Sequence, residues 1–318
     1  MTVTTLPEDA RVVVVSDLHL GAGGPSDPFG AKDDLFRRFL GEVAARADHF
    51  VIAGDAFDIA QAWSFERIER AHPHVVRDLV ALSRHMPVHY LAGNHEGSRD
   101  ALTVGRRIRV EHGHAHDPKN LPGDRAAFWG SRAHAAIEAV IRAPVRIPMR
   151  KHHAWSTRLG HWLFYRYGEA QRALAQLDRA AGRHARARER TAFLDYWGRG
   201  EWGDPHGLLE AARRELASGD LDAIVFGHSH QAGKVALPGG TYANTGSWTF
   251  DDATYARIEH GDVEVLSYPD RARLDDREYR GVLGQHAGKS FFDWWQTYYR
   301  GFLRYDVEAM RRHAEGEP

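Results

Sequence analysis

Seven side chains of the kind that bind metal ions occur in five short clusters along the chain. In order, the clusters contain Asp17 with His19, then Asp55, then Asn94, then His112, and finally His228 with His230. Carboxylate and amide oxygens mixed with imidazole nitrogens suit divalent ions such as Mn, Fe or Zn. Two such ions that share one carboxylate can activate water against a phosphorus atom. The residue types therefore predict a dinuclear metal site, and phosphoester hydrolysis is the chemistry that they favour.

The clusters follow short apolar runs that are typical of β-strands. Asp17 and His19 come after the run that starts at Arg11, and Asp55 comes after residues 50–53. Residues two apart on an extended segment point to the same side, so Asp17 and His19 can bind a single ion. Open α/β sheets bind ligands beyond the carboxyl ends of their strands. We therefore expect the five clusters to meet at that edge.

The ordered motifs resemble those of the calcineurin-like metallophosphoesterase family. The matching segments are Asp17-Leu18-His19, Gly54-Asp55, Gly93-Asn94-His95-Glu96, His112 and Gly227-His228-Ser229-His230. The resemblance implies one ion held by Asp17, His19, Asp55 and His230, and a second held by Asp55, Asn94, His112 and His228. Asp55 would bridge the two divalent ions, for which manganese is the first expectation and iron or zinc are alternatives. His95 matches the family's catalytic histidine, which would stabilise or protonate the leaving oxygen.

The same resemblance implies an α/β fold, a metallophosphoesterase sandwich of mixed sheets flanked by helices, with a helical insertion. We expect residues 1–115 and 219–270 to form the core. Residues 116–218 are expected to form a basic helical insertion that acts as a lid, and residues 271–318 an aromatic-rich C-terminal helical extension.

Hydrophobic periodicity predicts two successive β-α-β units before His112 and helices after it. Strands are expected at residues 11–16, 50–54 and from 88 onward, and helices at residues 31–47, 74–85, 133–141, 169–190 and 206–218. Two antiparallel hairpins are expected at residues 235–243 and 254–268. Trp248 is expected to pack in the core beneath the metal site.

Positive charge is concentrated in the predicted insertion. Residues 116–218 contain 18 Lys and Arg against 11 Asp and Glu, although the whole chain has a net charge of -1. Such a region can attract an anionic, phosphate-containing substrate. Arg132, Arg150 and Lys151 are the candidate substrate-binding residues. The alternative is that the arginine-rich stretch is only a solvated helix face.

Within the family, the basic insertion between His112 and His228 is similar to that of the UDP-2,3-diacylglucosamine pyrophosphatases. This likeness implies cleavage of a phosphodiester or pyrophosphate bond in a nucleotide- or lipid-linked substrate. That group usually has arginine at the position of His95 and aspartate at the position of His114, so the chain departs from it at two places. A nuclease of the same family, or a metal-free scaffold with the same fold, are the alternatives.

The composition limits other readings. The chain has no cysteine, which excludes disulfides and thiolate metal ligands. No signal-peptide pattern is present at the start, and no apolar run reaches the roughly 18 residues of a membrane span. We expect a cytoplasmic protein, with peripheral contact to membrane lipid as an alternative.

The aromatic stripe at residues 290–304 is expected to pack on its own protein, with a partner chain or lipid as alternatives. The overall charge gives no strong signal for nucleic acid, and the oligomeric state is left open.

Overall fold

The computed structural model describes residues 3–24, 27–94, 100–117, 166–199, 207–250 and 252–275. The chain divides into two compact units, which contain different parts of this described set. The first unit includes the described residues within 1–149 and 206–279, and the second includes those within 150–205. No helix among these described ranges is long and apolar enough to cross a membrane. The boundaries expected for the core, the insertion and the extension stay predictions.

The first unit contains two mixed β-sheets with helices. Its strands are β1 (Val3–Leu6), β2 (Val12–Val15), β3 (His49–Ala53), β4 (Val88–Leu91), β5 (Ala101–Val104), β6 (Ile108–Glu111), β7 (Ala223–Phe226), β8 (Gly233–Leu237), β9 (Gly240–Asn244), β10 (Thr254–Glu259) and β11 (Asp262–Ser267). Its helices are α1 (Asp33–Arg46), α2 (Ile59–Ala62), α3 (Phe65–Ala71), α4 (Pro73–His85), a 3-10 turn at His114–His116, and α5 (Leu208–Leu216).

The two sheets have different strand orders. One has six strands in the order β1-β5-β6-β7-β9-β8, and the other has five in the order β11-β10-β2-β3-β4. Strands β2, β3 and β4 are parallel, as are β6, β7 and β9, while β10 and β11 form an antiparallel hairpin. The expected fold class, an α/β architecture of two mixed sheets flanked by helices, is confirmed.

Strand β2 shows why the centre of the fold is a continuous apolar run in the sequence. Val12 and Val14 pack in a cluster that includes side chains of both sheets, whereas Val13 and Val15 pack in a second cluster with α1 and α4. Successive strand residues point to opposite faces, so a strand covered on both faces must be apolar at every position. All four valines are buried. The carboxyl end of β2 is therefore firmly fixed where Asp17 follows.

The predicted β-α-β units are confirmed. The structure also contains two strands and two short helices that the sequence pattern did not predict. Strands β1 and β5 pair with each other, and helices α2 and α3 lie between β3 and α4. Helix α4 begins at Pro73, which occupies the first turn where a missing N–H costs nothing. Both predicted hairpins are present.

The single helix expected over residues 169–190 is wrong. The structure has helical residues 166–180 and then a separate helix at His184–Arg199, with a turn between them. Gly182 in that turn has a φ of 72°, which glycine adopts without steric cost. Asp178 pairs there with the side chains of Arg183 and Arg190 at 2.9 and 2.6 Å. The helix expected at residues 133–141 lies outside the described residues.

Candidate metal centre

The sequence-predicted ligands lie at the carboxyl ends of five strands from both sheets. Asp17 and His19 follow β2, Asp55 follows β3, and Asn94 comes three residues after β4. In the other sheet, His112 follows β6, and His228 with His230 follow β7. Parallel strands end at a common edge, so the fold brings these distant segments of sequence together.

Backbone hydrogen bonds join the loops after β2 and β3. The amides of Asp17 and His19 donate to the carbonyls of Gly54 and Asp55 at 3.1 and 3.0 Å. Leu20 donates to Ala56 at 2.9 Å. The parallel pairing of the two strands therefore continues past their ends, and it fixes both aspartates relative to each other.

Ligand loops of this kind require unusual backbone conformations. Nine described residues other than glycine have a positive φ, and five of these are Asp17, His19, Asp55, His228 and His230, with φ between 46° and 64°. Each costs on the order of 1–2 kcal/mol for an L-residue. Such strain is retained where the surrounding structure enforces it, and it concentrates at functional sites.

The glycines beside the ligands are required by close packing. A Cβ at Gly54 would lie 2.5 Å from ring atoms of His112, and one at Gly93 would lie 2.7 Å from the amide nitrogen of Asp55. A Cβ at Gly227 would lie 2.7 Å from Asp17 Oδ2. The Gly-Asp, Gly-Asn and Gly-His pairs of the sequence thus reflect the tight approach of neighbouring ligand loops.

The first group of donor atoms surrounds Asp17 Oδ1. This oxygen is buried and has no hydrogen-bond partner. It lies 3.2 Å from His230 Nε2 and 3.7 Å from His19 Nε2, and the two imidazole nitrogens are 3.3 Å apart. Two donors bound to one ion at about 2.1 Å are separated by roughly 3.0–3.4 Å. The group therefore has the spacing of a metal-binding cluster.

The second group of donor atoms lies around Asn94 and His112. Asn94 Oδ1 is 3.0 Å from His112 Nε2 and 3.0 Å from His228 Nδ1. Asp55 Oδ2 is 3.5 Å from His112 Nε2 and 3.9 Å from His19 Nε2. A single carboxylate oxygen of Asp55 thus faces a histidine of each group, which is the position that a bridging ligand requires.

Neighbouring groups orient two of the imidazoles. Nδ1 of His112 lies 2.8 Å from the carbonyl oxygen of Ala53, and a proton on Nδ1 directs the lone pair of Nε2 towards Asp55. Nε2 of His228 lies 2.9 Å from Asp117 Oδ2, and a proton there directs the Nδ1 lone pair towards Asn94. Contacts of this kind fix the tautomer of metal-binding histidines.

The site has a strong negative field. Burial lowers the pKa of His19 and of His112, but the nearby Asp17 carboxylate for His19 and the charge of Asp55 for both outweigh it and raise each pKa to about 9. Burial raises the pKa of Asp17, yet His230 and His112 bring it well below its usual range. The carboxylates therefore stabilise positive charge here, which a proton or a divalent cation can supply.

The donor set fits divalent metal ions. In two sets of described residues the donor atoms all lie within 4.8 Å of one another. One set is Asp17, His19 and His230, and the other is Asp17, Asp55 and His112. Mixed oxygen and nitrogen donors suit Mn, Fe or Zn. The unpartnered Asp17 Oδ1 supports this fit, because a buried carboxylate oxygen without a partner is costly unless a cation satisfies it.

All seven predicted ligands are described, whereas the other predicted site residues are not. His95, Arg132, Arg150 and Lys151 lie outside the described residues, as does the aromatic stripe at 290–304. Their roles stay predictions. Trp248 packs as expected, since it is fully buried and its ring contacts those of Phe36 and Phe39.

Several residues that support the candidate ligands are not indicated by any pattern in the sequence. Asp17 Oδ2 accepts hydrogen bonds from Ser16 Oγ and from the amide of His228, the latter at 2.9 Å. Asn244 donates to the carbonyl of Gly227 at 2.7 Å and so supports the His228 loop. Asp117, which orients His228, also went unnoticed. Single polar residues carry no periodic signal, and only their contacts reveal the role.

The sequence profile of the calcineurin-like phosphoesterases matches residues 10–232. That match spans more than half of the chain, so the chain belongs to the calcineurin-like phosphoesterase family. Metallophosphoesterases of this kind bind divalent ions, and the described residues contain candidate ligands for them. The family match does not extend to the narrower group of UDP-2,3-diacylglucosamine pyrophosphatases, so the likeness to that group stays a proposal. No curated protein sequence matches the chain.

Several solved structures are similar to this one at low sequence identity. Yfce, a phosphoesterase from E. coli, is 12% identical with a TM-score of 0.37, and the match covers 83% of this chain and 96% of that one. Vacuolar Protein Sorting 29 from Cryptosporidium parvum is 15% identical with a TM-score of 0.36, covering 83% and 94%. A predicted phosphoesterase from Streptococcus pneumoniae is 12% identical with a TM-score of 0.32, covering 81% and 89%.

Proposed function

We propose that the chain is a hydrolase of phosphodiester or pyrophosphate bonds that works with two divalent metal ions, manganese first and iron or zinc as alternatives. The observation that carries this proposal is the arrangement of donor atoms around Asp17 and Asp55. Asp17 Oδ1 is buried without a hydrogen-bond partner beside two imidazole nitrogens, and Asp55 Oδ2 faces a histidine of each group. A metal-free scaffold has no physical need for this costly arrangement.

Each of the two ions would have its own set of ligands, with one ligand shared. Asp17, His19 and His230 would hold one ion, and Asn94, His112 and His228 the other, with Asp55 between them. When bound, the ions lower the pKa of water and offset the charge that builds on phosphoryl oxygens. Ser16 and the amide of His228 hold the inner carboxylate of Asp17, so that its Oδ1 faces the site. His95 is proposed to protonate or stabilise the leaving oxygen.

The substrate class rests on the sequence. The basic segment 116–218 and its residues Arg132, Arg150 and Lys151 support a large anionic substrate drawn to the site. A nucleotide- or lipid-linked pyrophosphate such as UDP-2,3-diacylglucosamine is the first candidate, because the insertion is similar in position to that of the enzymes which cleave it. The near-neutral overall charge favours this over a nuclease.

The test is hydrolysis by the purified full chain after loading with Mn²⁺. The substrates are UDP-2,3-diacylglucosamine, UDP-glucose, a glycerophosphodiester and single-stranded DNA. We expect turnover of at least one diester or pyrophosphate, its loss on chelation, and its loss in Asp55→Asn. Asp48→Asn, which removes the same charge from an exposed pair with Arg11, is the matched control and should keep full activity. Turnover that survives both chelation and Asp55→Asn would contradict the proposal.

A further inference from the structure

An exposed aromatic cluster lies beside the candidate metal centre. It consists of Phe65 and Tyr90, whose rings each contact the ring of Phe57, together with Ile59 and Trp63 from the same stretch of chain. The ring centroids of Phe57 and Phe65 are 5.1 Å apart at 77°, and those of Phe57 and Tyr90 are 6.1 Å apart at 29°. Trp63 is 54% exposed, and Ile59, Phe65 and Tyr90 are 42–43% exposed.

The cluster is unusual for the surface of the first unit. Among its described residues the large exposed apolar side chains are Ile59, Trp63, Phe65, Val80 and Tyr90, and four of these five belong to the cluster. Scattered exposed apolar residues need no explanation, whereas a contiguous group points to binding. Tyrosine, tryptophan and phenylalanine are also the residues that bind ligands most effectively by stacking.

Trp63 provides an independent sign of function. It ends helix α2 in the left-handed conformation, with a φ of 67°. Glycine or asparagine usually occupies such a position, because a large side chain is strained there. A bulky ring that is both strained and half exposed gains little from the folded core. Strain of this kind concentrates at functional sites.

The cluster is continuous with the metal centre. Phe57 is two residues beyond Asp55, and two residues span at most about 7 Å. Its backbone forms a bridge with Leu20, the residue after His19. Tyr90 lies on β4, opposite Ile52 of β3, and the same strand leads to Asn94. The cluster and the ligands therefore share one edge of the sheet.

On these grounds, and resting on the proposed function, we infer that the aromatic cluster binds a planar aromatic group of the phosphoester substrate, of which a nucleobase is the biological example. Half-exposed aromatic side chains suit a flat ligand, and base–aromatic stacking strengthens binding about tenfold or more. An acyl chain needs a channel that buries most of its surface, whereas these side chains are open to solvent. The phosphate would lie at the metal centre and the ring on the cluster.

The test measures binding rather than turnover, so that it stands apart from the test of hydrolysis. The full chain, loaded with Mn²⁺, is titrated with UMP and with ribose 5-phosphate, which carries the same phosphate and sugar without the base. We expect UMP to bind about tenfold or more tightly, and Trp63→Gly and Tyr90→Ala to reduce that preference several-fold. Ribose 5-phosphate should bind all variants equally.

Two controls keep the result specific. Val80→Ala removes an apolar side chain of similar exposure from α4 and should leave the preference unchanged. Trp63→Gly relieves the left-handed strain and should melt no lower than the wild type, so that a loss of binding cannot come from unfolding.

Three outcomes would overturn the inference. Equal affinity for UMP and ribose 5-phosphate would show that no ring is bound. If Trp63→Gly weakened binding of dodecyl phosphate and left UMP unaffected, the cluster would be an acyl-chain site. If Trp63→Gly instead converted a dimer to a monomer in analytical ultracentrifugation, the cluster would be an interface between copies of the chain. A chain that binds UMP through the cluster but hydrolyses nothing would refute only the proposed function.

Discussion

Three of the seven candidate ligands, Asp17, His112 and His228, are held through one polar atom while another faces the site. Asp17 accepts hydrogen bonds at Oδ2 and directs Oδ1 inward. His112 is oriented through Nδ1, and His228 through Nε2. A donor atom fixed in this way loses little conformational freedom when an ion binds. Preorganisation of this kind is what a strong metal site requires.

Asp117→Ala tests this orientation. Loss of the carboxylate removes the partner of His228 Nε2, so the ring can rotate and its Nδ1 no longer faces Asn94. We expect Mn²⁺ affinity to fall by about 10- to 100-fold. The measurement is isothermal titration calorimetry of the metal-free protein. Asp220→Ala, which removes an exposed carboxylate, should bind as the wild type does. Unchanged affinity in Asp117→Ala would assign that residue a structural role only.

Gly227→Ala tests the close packing of the ligand loops. The new methyl group would lie 2.6 Å from Ser16 Cβ and 2.7 Å from Asp17 Oδ2, so the loop must shift. We expect a loss of about 1–3 kcal/mol in the free energy of unfolding, together with weaker Mn²⁺ binding. Urea denaturation and calorimetry measure the two effects.

Gly41→Ala is the matched control for that substitution. A Cβ at position 41 in α1 would meet nothing within 4 Å. Because alanine is the better helix former, we expect stability to rise by up to about 1 kcal/mol. If both glycine variants behaved alike, close packing at Gly227 would not be the reason for its presence.

At the level of elements, a buried ionic cluster joins the loop after β2 to helices α1 and α4. His72 lies 2.9 Å from Asp27 and 2.7 Å from Asp33, one carboxylate on each ring nitrogen. Asp27 also accepts hydrogen bonds from the amides of Gly21, Gly23 and Phe29. Both contacts of His72 are hydrogen bonds only when the ring carries two protons. The loop that follows His19 therefore depends on a charged histidine.

His72→Gln tests this cluster through its pH dependence. Burial lowers the pKa of His72, but hydrogen bonds to Asp27 and Asp33 outweigh it and raise the pKa to about 9. A raised folded pKa gives stability that is fully present below the unfolded value of about 6.5 and is lost as pH rises through about 9. We expect the free energy of unfolding of the wild type to exceed that of the variant by up to about 3 kcal/mol at pH 6. Urea denaturation at pH 6, 7.5 and 9.5 measures it, and a difference that does not shrink with pH would refute the charged cluster.

The sequence predicted the structure best where a single strand or helix has regularly spaced apolar residues that become buried. The valines of β2 and the apolar face of α1 predicted their own structure, and the strand ends indicated where the seven candidate ligands lie. Gly182 interrupts a helix whose apolar spacing continues across it, so periodicity alone missed the break. Contacts such as Asp117 with His228 join residues 111 positions apart, and no local pattern encodes them.

At the level of the whole molecule, the candidate metal centre connects the two sheets of the first unit. Ligands after β2, β3 and β4 belong to one sheet, and those after β6 and β7 to the other. An ion that needs ligands from both sheets can bind only to the folded chain, because only folding brings those ligands together. If the centre binds metal, as we propose, the bound ions would therefore stabilise the fold by mass action.

Thermal unfolding tests this coupling. Mn²⁺ at 100 times its dissociation constant should add about 2.7 kcal/mol for one site. For a unit of this size, the melting temperature should rise by about 5 to 10 °C. Differential scanning calorimetry with and without Mn²⁺ measures the shift, and Asp55→Asn should show a smaller one. Equal melting temperatures at saturating metal would contradict the coupling.

In the proposed dinuclear centre one carboxylate, that of Asp55, joins two cation-binding groups. Metal stoichiometry tests it most directly, by equilibrium dialysis of the full chain against Mn²⁺ followed by elemental analysis. We expect two ions per chain in the wild type and one or fewer in Asp55→Asn. A wild-type chain that binds no ion, or a stoichiometry that Asp55→Asn leaves at two, would contradict it.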